Sequence, residues 1–310
     1  MDTLQCPLPP LPGSGPKPVP SLRNWLIAAG ILVVAFAPPL SALFRLSLSS
    51  DLYSHILLVP LISGYFFWIQ RHRIDPSPNP SLNSIVPIFA AATVVAGAWL
   101  LLSPSTPRGP SGLLSVTILC LVVLLVASFA VWFGWSNARR MGFPFAFLLF
   151  LTPFPPSFEA DLETFLQHGS GAAAYVLFNL FGSPVLRDEL TFHLPGISLQ
   201  IAPECSGIRS SLALFIVSIV AGQLYLRSPW RRTVLALAVI PLAFLRNGFR
   251  VFVIGEMCVR IGPDMIHSTI HRHGGPIFFA LSLIPFGALL WFLLRSDGGG
   301  RKRDAVSGKR

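Results

Sequence analysis

The sequence predicts an all-α polytopic membrane protein with about eight transmembrane helices and one longer extracytoplasmic loop. Three observations predict it. Of the 310 residues, 53% are hydrophobic and only 12% charged, and the mean hydropathy is +0.65, far too apolar for a soluble globular domain. The apolar residues collect into long runs, and a single chain with such runs satisfies its backbone in lipid as helices, not as open strands. The basic residues stand in small groups at the ends of those runs, where orientation signals belong. The net charge of +10 therefore reads as topology and not as a nucleic-acid footprint.

Residues 1–24 hold Pro7, Pro9, Pro10, Pro12, Pro16, Pro18 and Pro20 and are expected to form a disordered cytoplasmic tail. The apolar stretch that follows is too long, and lacks too clear a cleavage site, for a removable signal peptide. Residues 25–294 are expected to form the integral membrane domain, with spans at 25–44, 52–69, 85–102, 113–133, 141–154, 208–226, 234–254 and 276–294. Most come near the ~20 residues that cross a hydrocarbon core. The fifth is short and would cross only with help from its neighbours. Residues 295–310 are Gly-rich and basic, a cytoplasmic tail suited to an anionic inner leaflet.

Orientation follows from the basic residues. With the N-terminus inside, the cytoplasmic segments hold Lys17 and Arg23, Arg71 and Arg73, Arg139 and Arg140, then Arg227, Arg231 and Arg232, and finally six residues from Arg295 to Arg310. These are 15 of the 23 Lys and Arg residues, which predicts both termini on the cytoplasmic side of the inner (plasma) membrane. Cys205, the end of the seventh span and the loop 256–273 then share the outer face.

The long outer loop covers 155–206. Its first part sets Leu162, Phe165, Leu166 and Ala173 at helical spacing against Glu159, Asp161, Glu163 and Gln167, the pattern of a helix lying along the membrane surface. Residues 172–181 are apolar enough to dip into the bilayer but too few to cross it. Residues 190–201 alternate on both sides of Pro195-Gly196, a hairpin signal that would deliver Cys205 from a strand end.

Cys205 lies in Ala202-Pro203-Glu204-Cys205-Ser206-Gly207-Ile208-Arg209-Ser210, where a polar loop meets an apolar span. A thiol at a membrane face, followed by two small residues and an arginine, is a candidate nucleophile. Arg250 and His271 reach the same face in this topology. A nearby arginine favours the thiolate, and a histidine titrates where it can serve as acid and base. Arg246 and Arg250 are one helical turn apart with Asn247 beside them, so this polar stripe is expected to face the protein interior. Bland readings stand beside these. Arg250 could snorkel to the interface, Arg209, Arg246 and Asn247 could be structural hydrogen-bond partners, and Cys205 could pack or form a disulfide with Cys258. His55, at the outer end of the second span, could anchor or support the site. Cys120 reads as packing, Cys6 needs no special role, and His168 and His193 read as surface residues.

Three ordered runs, Cys205-Ser206-Gly207-Ile208-Arg209-Ser210, Asn247-Gly248-Phe249-Arg250-Val251 and His271-Arg272-His273-Gly274-Gly275, resemble the signatures of the exosortase and archaeosortase family. Tyr53-Ser54-His55 with Leu58-Val59-Pro60 and Trp68-Ile69-Gln70-Arg71, and the stretch from Phe143-Pro144 to Pro153-Phe154-Pro155, are similar to that family's earlier region. The resemblance runs from about Asp51 to Phe279. It implies a membrane-embedded cysteine protease or transpeptidase acting on exported proteins with a C-terminal signal of the PEP-CTERM kind: a motif, a transmembrane helix and a basic tail. By the same resemblance Cys205 is the nucleophile, Arg250 the essential arginine and His271 the third member, with Gly275 at the family's spacing from it. His273 remains an alternative. No cofactor is implied, and lipid is the surrounding partner.

Two other classes are open to the same residues. A metalloprotease could use His267, His271 and His273, with His55, although these histidines lack the adjacent glutamate of a zincin helix. A non-enzymatic transporter or channel would place polar groups near mid-bilayer on several helices, whereas here they gather at one face, and no long internal repeat is evident.

Overall fold

The structure, a computed structural model, describes residues 22–75, 82–102, 112–202, 206–262, 264–265 and 274–307. The chain divides into two compact units, Met1–Pro156 and Ser157–Arg310.

The first unit is helical. It comprises α1 (Leu22–Ala35), α2 (Ala37–Ser49), a 3-10 segment (Asp51–Leu57), α3 (Val59–Gln70), α4 (Leu82–Leu102), α5 (Gly112–Phe133), α6 (Trp135–Arg140) and α7 (Gly142–Phe147), which tightens into a 3-10 turn over Leu148–Leu151. Trp25 is its keystone: the ring stacks on Phe67 at 5.5 Å, meets the edge of Phe129 at 5.1 Å, and donates through Nε1 to Ser128 Oγ at 3.2 Å. Buried Asn137 of α6 holds the segment that follows α3. Its amide donates to Asp75 O at 2.9 Å and its carbonyl oxygen accepts from Asp75 N at 2.9 Å, while Arg140 pairs with the Asp75 carboxylate.

The second unit holds α8 (Pro156–Leu180), three short strands β1 (Leu186–Asp188), β2 (Thr191–Leu194) and β3 (Ile197–Gln200), then α9 (Ile208–Tyr225), α10 (Pro229–Leu237), α11 (Val239–Arg260) and α12 (Gly275–Ser307). The strands form an antiparallel sheet in order β1-β2-β3, with Leu194 opposite Ile197. Pro195 presets the turn and Gly196 takes φ +82°, a conformation that suits glycine. Alternation then buries Phe192, Leu194 and Leu199 and leaves His193 and Ser198 exposed. The buried face packs on Ala174 and Phe178 of α8 and on Val251, Ile254 and Cys258 of α11. Two glycines permit that closeness. A Cβ at Gly248 would stand 2.6 Å from Ala173 Cβ and 2.9 Å from Ala174 N, and one at Gly255 would stand 2.6 Å from Phe178 Cζ. Small residues at such seams let helix backbones approach.

Among the described residues, six helices are long and apolar enough to cross a membrane: Asp51–Arg73, Asn83–Leu102, Gly112–Phe133, Ile208–Tyr225, Pro229–Arg260 and Gly275–Ser296. Six of the predicted spans are thereby found, and the chain is a helical polytopic membrane protein. Lipid-type exposure accompanies them: Val94, Leu101 and Ile284 are all more than half exposed.

The structure departs from the sequence expectation in four places. The first span is two helices bent by 72° and counts as a seventh crossing only if the pair is one span. Pro38 and Pro39 lack the N–H groups that would bond back into α1, and their rings clash with the preceding turn, so regular bonding resumes at Leu40 N, which donates to Phe36 O at 3.0 Å. The fifth run yields only the short apolar helix Gly142–Leu151, well under a membrane thickness at 1.5 Å per residue. The helix expected along the membrane surface continues past 172 to Leu180 as the 25-residue α8, which buries Leu166, Gln167, Ser170, Gly171, Ala174 and Phe178. Gln167, read as part of the polar face, is thus interior. The hairpin gains a third strand, β1.

Candidate active site

The site is built where the first turn of α9 meets the polar stripe of α11. On the entering side, Ile201 is held twice: its N–H donates to Leu190 O at 3.0 Å, and its carbonyl accepts from buried Gln167 Nε2 at 3.1 Å. On the leaving side stand Ser206, 1% exposed, and Gly207, in the left-handed region at φ +76° and ψ 14°. Ser206 Oγ accepts from Ile208 N at 3.4 Å, and so serves one of the donors that a helix start leaves open.

Gly207 is the hub. Its carbonyl oxygen accepts from Ser211 N at 3.0 Å, Ser211 Oγ at 2.8 Å, Ser210 Oγ at 3.1 Å and Arg246 Nη2 at 3.2 Å. Arg246 Nη2 also donates to Ser211 Oγ at 2.9 Å. A Cβ at position 207 would meet Asn247 Cγ at 3.2 Å and Arg246 Nη2 at 3.3 Å. The turn behind Cys205 therefore lies in contact with the arginine-asparagine pair of α11, as the interior-facing stripe required.

Burial sorts the stripe. Asn247 is 3% exposed and Arg246 8%, while Leu245 beside them is 57% exposed; one face of α11 is polar and enclosed, the other apolar and open. Among the described residues, Arg246 Nη1 is buried without a hydrogen-bond partner and no carboxylate pairs with this guanidinium. Leaving a buried cationic donor unserved is costly. Arg246 also borders a cavity of about 280 Å³ between α11 and α12, walled by Ser282 and by apolar side chains such as Leu242, Phe249, Phe278 and Pro285. Arg250, one turn further along α11, is half-buried and engaged with other groups.

The remaining candidates fall as follows. Cys205, His267, His271 and His273 lie outside the described residues, and with them the nucleophile, the third member and the histidines of the metalloprotease reading. Arg209 is exposed on the first turn of α9. His55 belongs to the first unit, where its Nδ1 donates to Leu52 O at 2.9 Å; with Tyr53, Phe150 and Thr152 it borders a cavity of about 210 Å³. Cys258 is buried in the apolar cluster beneath the sheet, and Cys120 is half-buried in α5. His168 and His193 are exposed, as expected of surface residues. The sequence reading passed over Ser211. Its only sequence signal was its place four residues after Gly207, where a serine can bond back to the i−4 carbonyl.

A helical polytopic membrane protein with a cationic, hydrogen-bonding cluster buried between two spans is the class defined by fold and site. The chain belongs to the transmembrane exosortase family, which it matches over residues 40–288. That membership supports a membrane transpeptidase or protease role in general. The match includes all three signature runs. No curated protein and no solved structure matches the chain.

Proposed function

We propose that this protein is a cysteine protease or transpeptidase of the inner membrane. It cleaves C-terminal sorting signals of exported proteins at the outer face, through a thioacyl intermediate. One observation carries the reading beyond family membership: Gly207 lies against Arg246 and Asn247. Two peptide units span at most ~7 Å, so a nucleophile at Cys205 stays within that reach of the turn that α11 grips.

In this reading the Cys205 thiolate attacks the scissile carbonyl carbon, the S–C bond forms, and the carbonyl pair moves onto oxygen. Collapse of that intermediate returns the pair and breaks the C–N bond, and the departing amine takes a proton from His271, or from His273 in its place. A thioester remains on Cys205, to be resolved by water or by an amine. Arg250 favours the thiolate by its charge. Arg209 and His55 are supporting residues, and the chemistry calls for no cofactor. The substrates are exported proteins bearing a PEP-CTERM-like motif, a transmembrane helix and a basic tail, delivered through membrane lipid.

Co-expression of such a substrate with Cys205→Ala tests it: processing should cease while the variant remains abundant in the membrane. Arg250→Lys should be severely impaired, because an ammonium cannot reproduce the planar fork of a guanidinium. Normal processing by both variants rejects the cysteine mechanism.

A further inference from the structure

We infer that the first unit holds a binding site for one anionic phospholipid: a single acyl chain lies in the groove between α5 and α7, and the phosphate stands at Arg139, where the groove ends. The inference is independent of the cysteine mechanism proposed above.

The groove follows from how the chain turns. α5 is long and apolar enough to cross the membrane and ends at Phe133. Gly134, at φ +87°, lets α6 leave it sharply, and α7 then runs back beside α5, with the Phe145 ring 5.0 Å from that of Phe129. Between them lies a cavity of about 460 Å³, within the ~300–1,000 Å³ typical of ligand pockets. Val122 and Val126 line it from α5, and Gly142, Ala146 and Leu149 from the returning segment. Gly142 and Ala146 have little or no side chain, which leaves the space that a larger residue would fill. Val123 and Leu149 are 56% and 49% exposed, so the groove is open along its side.

Its depth is that of one leaflet. From Phe133 back to Val122 is roughly 16 Å at 1.5 Å per residue, about half of the ~30 Å hydrocarbon core. The short apolar helix Gly142–Leu151 rises only ~15 Å and goes no further. Such a groove suits an acyl chain, whereas the transmembrane helix of a substrate or partner needs a face that runs through the whole core.

The end of the groove is cationic. Trp135 and Arg139 of α6 border the same cavity, with Arg139 Cζ 5.6 Å from the Trp135 ring centroid, a cation-π distance. Tryptophan is favoured at headgroup level. No Asp or Glu occurs from residue 76 to residue 158, and the Asp75 carboxylate is paired with Arg140, which also donates to Arg73 O at 3.2 Å. Arg71 and Arg73, in the turn that closes α3, therefore join Arg139 and Arg140 at this end of the unit against one carboxylate. An excess of arginine at the mouth of an apolar groove selects an amphiphile with a negative head, and the planar guanidinium fits a phosphate.

The test uses the full-length protein in neutral detergent, titrated with phosphatidylglycerol or with phosphatidylcholine, with bound lipid counted by native mass spectrometry. Wild type should retain one phosphatidylglycerol in preference to phosphatidylcholine. Arg139→Gln should bind phosphatidylglycerol about 5-fold or more weakly, the weight of one arginine beside an anionic lipid, and should bind phosphatidylcholine as wild type does. Arg295→Gln removes an equal charge beside Trp291 in the second unit and should stay within about 2-fold of wild type. Ala146→Trp, which fills the groove, should weaken both lipids by about 10-fold, the equivalent of two methylenes lifted from apolar surroundings. If that variant does not accumulate, Val123→Trp on the opposite wall replaces it with the same expectation. Equal retention of the two lipids by wild type, equal losses in Arg139→Gln and Arg295→Gln, or undiminished binding by the groove-filling variant overturns the inference. So does a mass of two chains without lipid that the groove-filling variant returns to one, which would assign the groove to a second copy of this chain. None of these readouts involves cleavage, so failure here leaves the cysteine mechanism untouched.

Discussion

Arg246 donates through Nη2 to the carbonyl oxygen of Gly207 at 3.2 Å, joining residues 39 positions apart. The bond joins the first signature run to the residue just before the second. It links the turn that opens α9 to the middle of α11, and it ends on a backbone atom, so no side-chain change at 207 can preserve it while altering the backbone angle there.

Gly207→Ala should therefore be more damaging than one methyl group suggests. A non-glycine residue in the left-handed region costs roughly 1–2 kcal/mol, and the added Cβ would press on Asn247 Cγ at 3.2 Å and Arg246 Nη2 at 3.3 Å. Thermal unfolding in detergent should show a modest loss and substrate processing a large one. A variant with undiminished processing would show that the turn tolerates displacement.

Gly248→Leu should destabilise the second unit. Its Cβ would already stand 2.6 Å from Ala173 Cβ and 2.9 Å from Ser170 O, so α8 and α11 must separate; overpacking of this kind costs about 1–3 kcal/mol or more. Gly30→Ala is the control, because nothing lies within 4 Å of a Cβ there. Equal melting temperatures for the two variants would contradict a close α8–α11 seam.

Among the histidines, His271→Ala should remove activity, whereas His267→Ala and His273→Ala should lose only a modest factor. General acid-base catalysis contributes roughly 100- to 10,000-fold, so the contrast is measurable in a processing assay. Equal loss in all three, with zinc restoring a chelator-treated enzyme, would replace the cysteine mechanism by a metal-dependent one. Loss confined to His273→Ala would move the role by two residues.

A membrane-impermeant thiol reagent, applied to intact cells stripped of their outer barrier, should label Cys205 and not Cys6. The expectation follows from the basic residues of the predicted inner segments. The opposite pattern would place the signature cysteine on the wrong side for an exported substrate.

Much of this protein was legible in its sequence because the relevant free energies belong to single segments. Transfer of an apolar run into lipid and the backbone demand that follows depend on local composition, so six spans were found where they were expected. The Pro195-Gly196 turn and the strands beside it follow from the conformational limits of those two residues. The polar stripe of α11 follows from helical periodicity, and the order of the three signatures led to the family.

Tertiary structure decided what depends on pairs. A helical period names a face but not the partner it meets: Gln167 fits the polar side of a surface helix by pattern, yet it is 6% exposed and donates to Ile201 O, because glycines on α11 let α8 pack against it. The same holds at the site. Arg246 and Arg250 share one face and could not be told apart by spacing. Only packing gave Gly207 O and Ser211 Oγ to Arg246 Nη2, since a hydrogen bond between residues 39 apart exists only when two helices have already been brought together.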